Sequence, residues 1–238
     1  MKKQYDICGL TVECDLRYPE MTRRAEKYLS CANNAPDISI PFSGQEIDCL
    51  RAAEPHLSLD DCEIMSTSQS FYMQLLQHGG FMLHSSAVAV DNAAYLFSAP
   101  SGTGKSTHTQ QWVKLFGERA LILNDDKPAI MVSDSGITAC GTPWSGKSDL
   151  NVNAGVPLRG ICFLQRSESN YIERMPPERV AYSILDQTLR PEDSVRMGLL
   201  LDMLDKAATK IPVWQMGCNI SVQAAQMAYA AMSAESVD

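Results

Sequence analysis

The spacing of apolar residues changes character along the chain. Between residues 4 and 15 apolar and polar positions alternate (Tyr5, Ile7, then Leu10, Val12, Cys14), which predicts a strand or hairpin broken at Gly9. Residues 16–62 are polar, poorly periodic and interrupted by Pro19, Pro36, Pro41 and Pro55. They read as an irregular region with short elements. Helical spacing appears over 68–78 and stops at Gly79-Gly80.

From there the pattern becomes that of a core. Ser86–Val90 and Ala93–Ser98 are apolar runs separated only by Asp91-Asn92, the signature of a tight hairpin. Thr107–Phe116 has helical spacing, with His108, Trp112, Leu115 and Phe116 on one face and Gly117 as its stop. Ala120–Leu123 is a short buried strand running into Asn124-Asp125-Asp126. Lys127–Val132 and Ile137–Cys140 predict two strands around Asp134-Ser135-Gly136, and Gly160–Gln165 with Tyr171–Met175 a further strand pair. Helices follow over Pro176–Leu189 and Pro191–Ala208, each starting near a proline, as first turns tolerate. Ile211–Met216 predicts a strand and Ser221–Met232 a closing helix. Strands outnumber the helices between them, so the expected class is α/β (α+β) with a mixed β-sheet and flanking helices, not a doubly wound parallel sheet. The expected organisation is an N-terminal region over 1–62, with a strand or hairpin packed on the core, and a core over 63–238.

Bulk properties narrow the function. The 238 residues are 45% hydrophobic and 20% charged, ordinary values for a globular chain. A net charge of −8 with no Lys/Arg-rich run argues against nucleic acid as a partner. No stretch is long and apolar enough for a membrane span. The polar start, Met1–Asp6, lacks the core of an export signal, and the eight cysteines include no C-x-x-C pair. Reduced thiols and a cytoplasmic location are therefore expected.

Two segments carry the pattern of a phosphate-cradling loop, in which glycines let backbone N–H groups point inward, a lysine reaches the outer phosphates and a hydroxyl meets magnesium. The strict form is Gly141–Ser148. A relaxed form, with Ala99 in place of the first glycine, is Ala99–Ser106. The loop has to leave a strand and enter a helix. Only the relaxed form does so: Gly141–Ser148 runs into an Asn-, Gly- and Pro-rich segment unsuited to helix. The candidate nucleotide-binding residues are accordingly Ser101, Gly102, Thr103, Gly104, Lys105, Ser106 and Thr107. The other reading is an exposed lysine on a glycine-rich turn. Asp125 and Asp126, at a strand end downstream, are candidates for metal binding and proton acceptance, although two adjacent acids after a strand also occur as a plain solvated turn. Trp144, Lys147 and Arg159 are candidate substrate contacts through ring stacking or anion pairing.

Leu83-His84-Ser85-Ser86, then Ser98–Thr107, then Leu123-Asn124-Asp125-Asp126 together resemble the nucleotide core shared by HPr kinase/phosphorylase and ATP-dependent phosphoenolpyruvate carboxykinase. The resemblance covers residues 80–132 and departs from HPr kinases at Ala99. It implies a mixed-sheet P-loop fold in which Lys105 binds phosphates, Ser106 and Asp126 hold Mg²⁺, Asp125 is the base and His84 lines the reacting site. ATP and Mg²⁺ are the expected cofactors. The expected activity is transfer of phosphate to a hydroxyl, such as a serine, on a small protein, a peptide or a small molecule. Carboxykinase-like chemistry and a non-catalytic nucleotide switch are the alternatives.

Overall fold

The computed structural model describes residues 2–32 and 34–234. Strands β1 (Lys3–Ile7) and β2 (Leu10–Cys14) form the expected hairpin. Its two turn residues, Cys8 and Gly9, both have positive φ (57° and 78°), the geometry that matches strand twist in a two-residue connection. Strand β3 (Ile38–Ile40) adds parallel to β2. The polar stretch around it holds helices α1 (Pro19–Ala25), with proline in its first turn, and α2 (Gly44–Ala53), capped by Ser43.

Helix α3 (Leu59–Leu75) begins well ahead of the segment whose spacing read as helical. Ser58 and Asp61 close a capping box at its start, an arrangement worth about 1 kcal/mol. Its first turns bury Cys62, Glu63, Thr67 and Ser68 in place of large apolar residues, so no hydrophobic period announces them. Buried Glu63 is satisfied by the backbone N–H groups of Arg17 and Tyr18, at 2.7 and 3.0 Å.

The remaining elements are β4 (Gly80–Met82), β5 (Ser85–Val90), β6 (Ala93–Ser98), α4 (Lys105–Phe116), β7 (Ala120–Asp126), β8 (Ala129–Ser133), β9 (Gly136–Cys140), β10 (Gly155–Arg166), β11 (Tyr171–Arg174), α5 (Pro177–Asp186), α6 (Ser194–Lys210), β12 (Val213–Cys218) and α7 (Val222–Ser233). The strand order is β11-β12-β10-β6-β5-β7. β10 is parallel to both β6 and β12, and the other pairs in this row are antiparallel. The first residues of long β10, Gly155–Pro157, pair instead with β9, and the sheet continues antiparallel through β8 to β4. The sheet is therefore mixed, as expected. One pairing differs from expectation: β10 and β11 do not pair with each other, because β12, from much later in the chain, lies between them.

Both faces of the sheet are covered, and the period-2 geometry of strands sorts the side chains. On β5, Ala87 and Ala89 join a core with Ile184 of α5 and Leu200, Met203 and Leu204 of α6. Val88 and Val90 face the other way, onto Trp112 of α4 and Ala224, Ala225 and Ala228 of α7. A third cluster joins Tyr5, Ile7, Val12 and Ile38 of the small sheet to Phe71, Tyr72 and Leu75 of α3 and to Trp144.

Gly141 follows β9 where the chain passes between two backbone segments. A Cβ there would sit 1.8 Å from the Val152 carbonyl oxygen and 2.6 Å from that of Leu123. Gly141→Ala is expected to destabilise the fold by about 3 kcal/mol or more, since backbone on both sides must shift. Gly198→Ala, in α6 with open space around it, is expected to stabilise by roughly 0.5–1 kcal/mol. Thermal unfolding of the two variants beside the parent checks both signs.

Candidate functional site

Strand pairing builds the site. β5 lies between β6 and β7, with Ser85 opposite both Ser98 and Asp126, and Ser86 opposite Asp125. His84 immediately precedes β5, the loop 99–104 leaves the end of β6, and Asp125-Asp126 end β7. Three segments far apart in sequence therefore meet at one end of three adjacent strands. A cavity of about 410 Å³ opens there, lined by His84, Ser101, Gly102, Gly104, Lys105–Thr107, Asp125, Asp126 and Gly146–Ser148.

The loop 99–104 has φ of +77° at Gly102 and +122° at Gly104, conformations that side-chain-bearing residues rarely adopt. A Cβ at either glycine would meet nothing within 4 Å, so the requirement is on the backbone and not on space. α4 starts at Gly104 with no side-chain cap and no acid in its first turn. Its positive N-terminal end faces the cavity through Lys105, Ser106 and Thr107. Lys105 is nearly buried, and its ammonium donates to the Ala99 carbonyl at 2.9 Å. Burial pulls its pKa below the usual lysine value, against the attraction of Asp126 and Asp125. Arg166 braces the outer side of the loop through the Gly102 and Thr103 carbonyls, at 2.5 and 3.4 Å.

The two acids differ in their surroundings. Burial alone would raise the Asp126 carboxyl, but His84 Nε2 at 3.3 Å and the Lys127 ammonium at 2.5 Å outweigh it and hold the group at about 2. Asp125 is 7% exposed. Its Oδ2 accepts from the Ser148 hydroxyl at 2.7 Å, while its Oδ1, fully buried, has no hydrogen-bond partner. A buried carboxylate oxygen without a donor is costly, by roughly 1–3 kcal/mol or more. Asn124 is structural: its amide donates to the Thr142 carbonyl and its Oδ1 accepts from the Lys127 N–H.

Gly141–Ser148 leaves β9 into turns and not into a helix. It nevertheless reaches the cavity, as the wall opposite the loop 99–104. The two glycine-lysine segments, alternatives by sequence pattern, are not alternatives in the fold, where Lys105 and Lys147 line one space. The N-terminal region secures this wall. Arg24 donates to the Gly146 carbonyl at 2.7 Å, Arg23 pairs with Asp149 at 2.8 Å, and Lys27 donates to the Asn151 carbonyl at 3.0 Å. The Tyr28 hydroxyl reaches Asn151 Oδ1 at 2.8 Å. Arg23 and Arg24 in turn hold Glu20 at about 2. No sequence pattern linked Arg24 to this loop across so many residues.

The other candidates fall elsewhere. Trp144 is 1% exposed, stacked on Phe71 at 4.7 Å, with its indole N–H donating to Thr67 Oγ1 at 3.1 Å. Its ring is committed to the core and has no face for a ligand, which corrects the stacking expectation. Arg159 lies on β10, donates to the Ser233 carbonyl at 3.4 Å and lines a separate cavity with Ser135, Ile137 and Lys210. Thr103 lines a larger, neighbouring cavity of about 780 Å³ with Thr107, His108 and the ends of β10 and β12. The two cavities share Gly102, Gly104 and Thr107. Burial lowers His108 to about 4, and its Nε2 accepts from the Trp112 indole at 3.1 Å, so it stands neutral.

A family model described as SynChlorMet cassette protein ScmC matches residues 56–226, well over half of the chain. No curated protein matches it. Among solved structures, that of the Hpr(Ser) kinase/phosphatase from Coxiella burnetii is similar over 63% of this chain and 95% of that one, at 11% sequence identity and a TM-score of 0.35. No helix among the described residues is long and apolar enough to cross a membrane.

Arg24→Ala is expected to loosen the wall over 145–151 while leaving the sheet intact. A hydrogen bond from a charged donor contributes about 1.5–3 kcal/mol, so amide exchange in 145–151 should quicken by roughly tenfold or more. Hydrogen–deuterium exchange of the variant, with α4 and β5 amides as the internal reference, checks this.

Proposed function

The chain belongs to the ScmC family of SynChlorMet cassette proteins, and from that premise and the geometry of its site we propose that it is an ATP- and Mg²⁺-dependent phosphotransferase acting on a hydroxyl acceptor. The observation that carries the proposal is the one cavity onto which the uncapped N-terminus of α4, with Lys105 and Ser106, opens together with Asp125 and the His84–Asp126 pair. One side offers donors for phosphate. The other offers carboxylates that can accept a hydroxyl proton.

In this reading ATP lies across the loop 99–104. Its outer phosphates sit against Lys105 and the first N–H groups of α4, and its base and ribose occupy the neighbouring cavity beside Thr107 and neutral His108. The shared lining at Gly102, Gly104 and Thr107 connects the two spaces. The donor set fits magnesium: Ser106 and Asp126 are hard oxygen ligands on one cavity, and Asp126 is held anionic. Mg²⁺ commonly takes one or two protein oxygens and completes its coordination with phosphates and water. Bound there, Mg²⁺ would neutralise charge on the outer phosphates. Lys105 orients the γ-phosphoryl group and balances its charge, Asp125 takes the proton of the acceptor hydroxyl, and His84 fixes the orientation of Asp126. The acceptor is a serine on a small protein or peptide, or a hydroxyl on a small molecule.

Lys105→Ala is expected to weaken ATP binding about 100-fold or more, since it removes the charge at the phosphates, whereas Lys147→Ala, on the exposed opposite wall, should change it by less than roughly tenfold. Calorimetric titration decides; the reverse order would exchange the roles of the two segments and sink the proposal. Asp126→Asn is expected to weaken ATP binding more with Mg²⁺ present than with the metal chelated. Equal losses in the two titrations would remove the metal role.

A further inference from the structure

The strict glycine-lysine motif ends in Ser148, and the function proposed above leaves that residue unused. Its hydroxyl donates to Asp125 Oδ2 at 2.7 Å, with a second, longer contact of 3.4 Å to the Ser145 carbonyl. It lines the same cavity as Lys105, Ser106 and His84, and it is exposed. A hydroxyl donating to a buried carboxylate, across a cavity from a phosphate-type loop, is the arrangement required of a phosphoryl acceptor. The backbone around it is held: Arg24 grips Gly146 on one side, and Asn151 Nδ2 bonds Ser145 Oγ at 2.6 Å on the other. Between them Gly146 (φ +66°) and Asp149 (φ +50°) turn the chain so that residues 146–148 face the cavity.

We propose that Ser148 is a self-phosphorylation site: it holds the place of the acceptor hydroxyl and takes a phosphoryl group from ATP bound in the same chain. The inference rests on the phosphotransferase reading. Ser148 Oγ attacks the γ-phosphorus in line, the Oγ–P bond forms, and the bond from that phosphorus to the β–γ bridging oxygen breaks. ADP departs with the bonding pair, and the Oγ proton passes to Asp125. The product carries close to two negative charges beside Asp125 and Asp126, where like charges repel and an incoming acceptor loses its place. Phosphorylation of Ser148 therefore closes the site to further transfer.

The test needs no knowledge of the external acceptor. Purified full-length protein is incubated with Mg²⁺ and ATP alone and followed by intact mass and peptide mapping. The expected result is the gain of one phosphoryl group on the peptide holding Ser148, at a first-order rate independent of protein concentration. Ser148→Ala should gain none, Ser148→Thr should gain it on the threonine, and Asp125→Asn should slow the gain about 100-fold. Nucleotide binding is measured in parallel by calorimetry. If the parent binds ATP and gains no phosphoryl group, or gains it at another residue, the inference is overturned while the phosphate-loop assignment stands. A rate that rises with protein concentration also overturns it, because transfer then occurs between chains. Failure to bind ATP at all defeats the phosphotransferase reading itself, and this inference with it.

Discussion

Strand β5 sits hydrogen-bonded between β6 and β7, and the candidate site depends on that double pairing. The register sets Ser85 level with Ser98 on one side and Asp126 on the other, so the loop after β6, the acids ending β7 and His84 before β5 open onto one cavity. The pairing is fixed because both faces of β5 are buried: alternate residues enter different cores, and a slip of one residue would exchange them. The hydrogen bond between Ser86 and Thr109, at 2.7 Å, ties α4 to this strand. The positive end of the helix is thereby held over the acids.

Within this frame, most polar groups of the site have partners inside the chain. Lys105 rests on a carbonyl of its own loop, Asp126 is shared by His84 and Lys127, and Asp125 has one oxygen bonded to Ser148 and one with no partner. In the function proposed for the site, a phosphate, a metal or a hydroxyl would replace these contacts.

The N-terminal region has a part in this. Its sheet packs on α3, and α1 with the turn after it sends Arg23, Arg24, Lys27 and Tyr28 onto the segment 146–151. Arg24 is 8% exposed, and its charge is compensated by Glu20 at 2.8 Å and by the Gly146 carbonyl. A buried guanidinium with these partners gives direction to the contact, because its planar fork accepts few alternative geometries. The wall carrying Lys147 and Ser148 is thus set by residues more than a hundred positions away.

Sequence by itself determined the local chemistry. The two-residue turn at Asp91-Asn92, the glycines of the loop 99–104, the start of α4 and the strand end at Asp125-Asp126 are short-range features, written in residue types whose backbone preferences decide them. The mixed character of the sheet was legible from the count of strands against helices. Tertiary structure decided what depends on distant partners. It inserted β12 between β10 and β11, since the neighbour of a buried strand is selected by packing on both faces and not by proximity in the chain. It extended α3 back to a Ser58–Asp61 cap over turns with little apolar signal. It buried Trp144 against Phe71, removing it from any ligand. And it folded Gly146–Ser148 onto the cavity, because the hydrogen bonds that hold that segment come from Arg24, Lys27 and Tyr28, whose contribution no local pattern encodes.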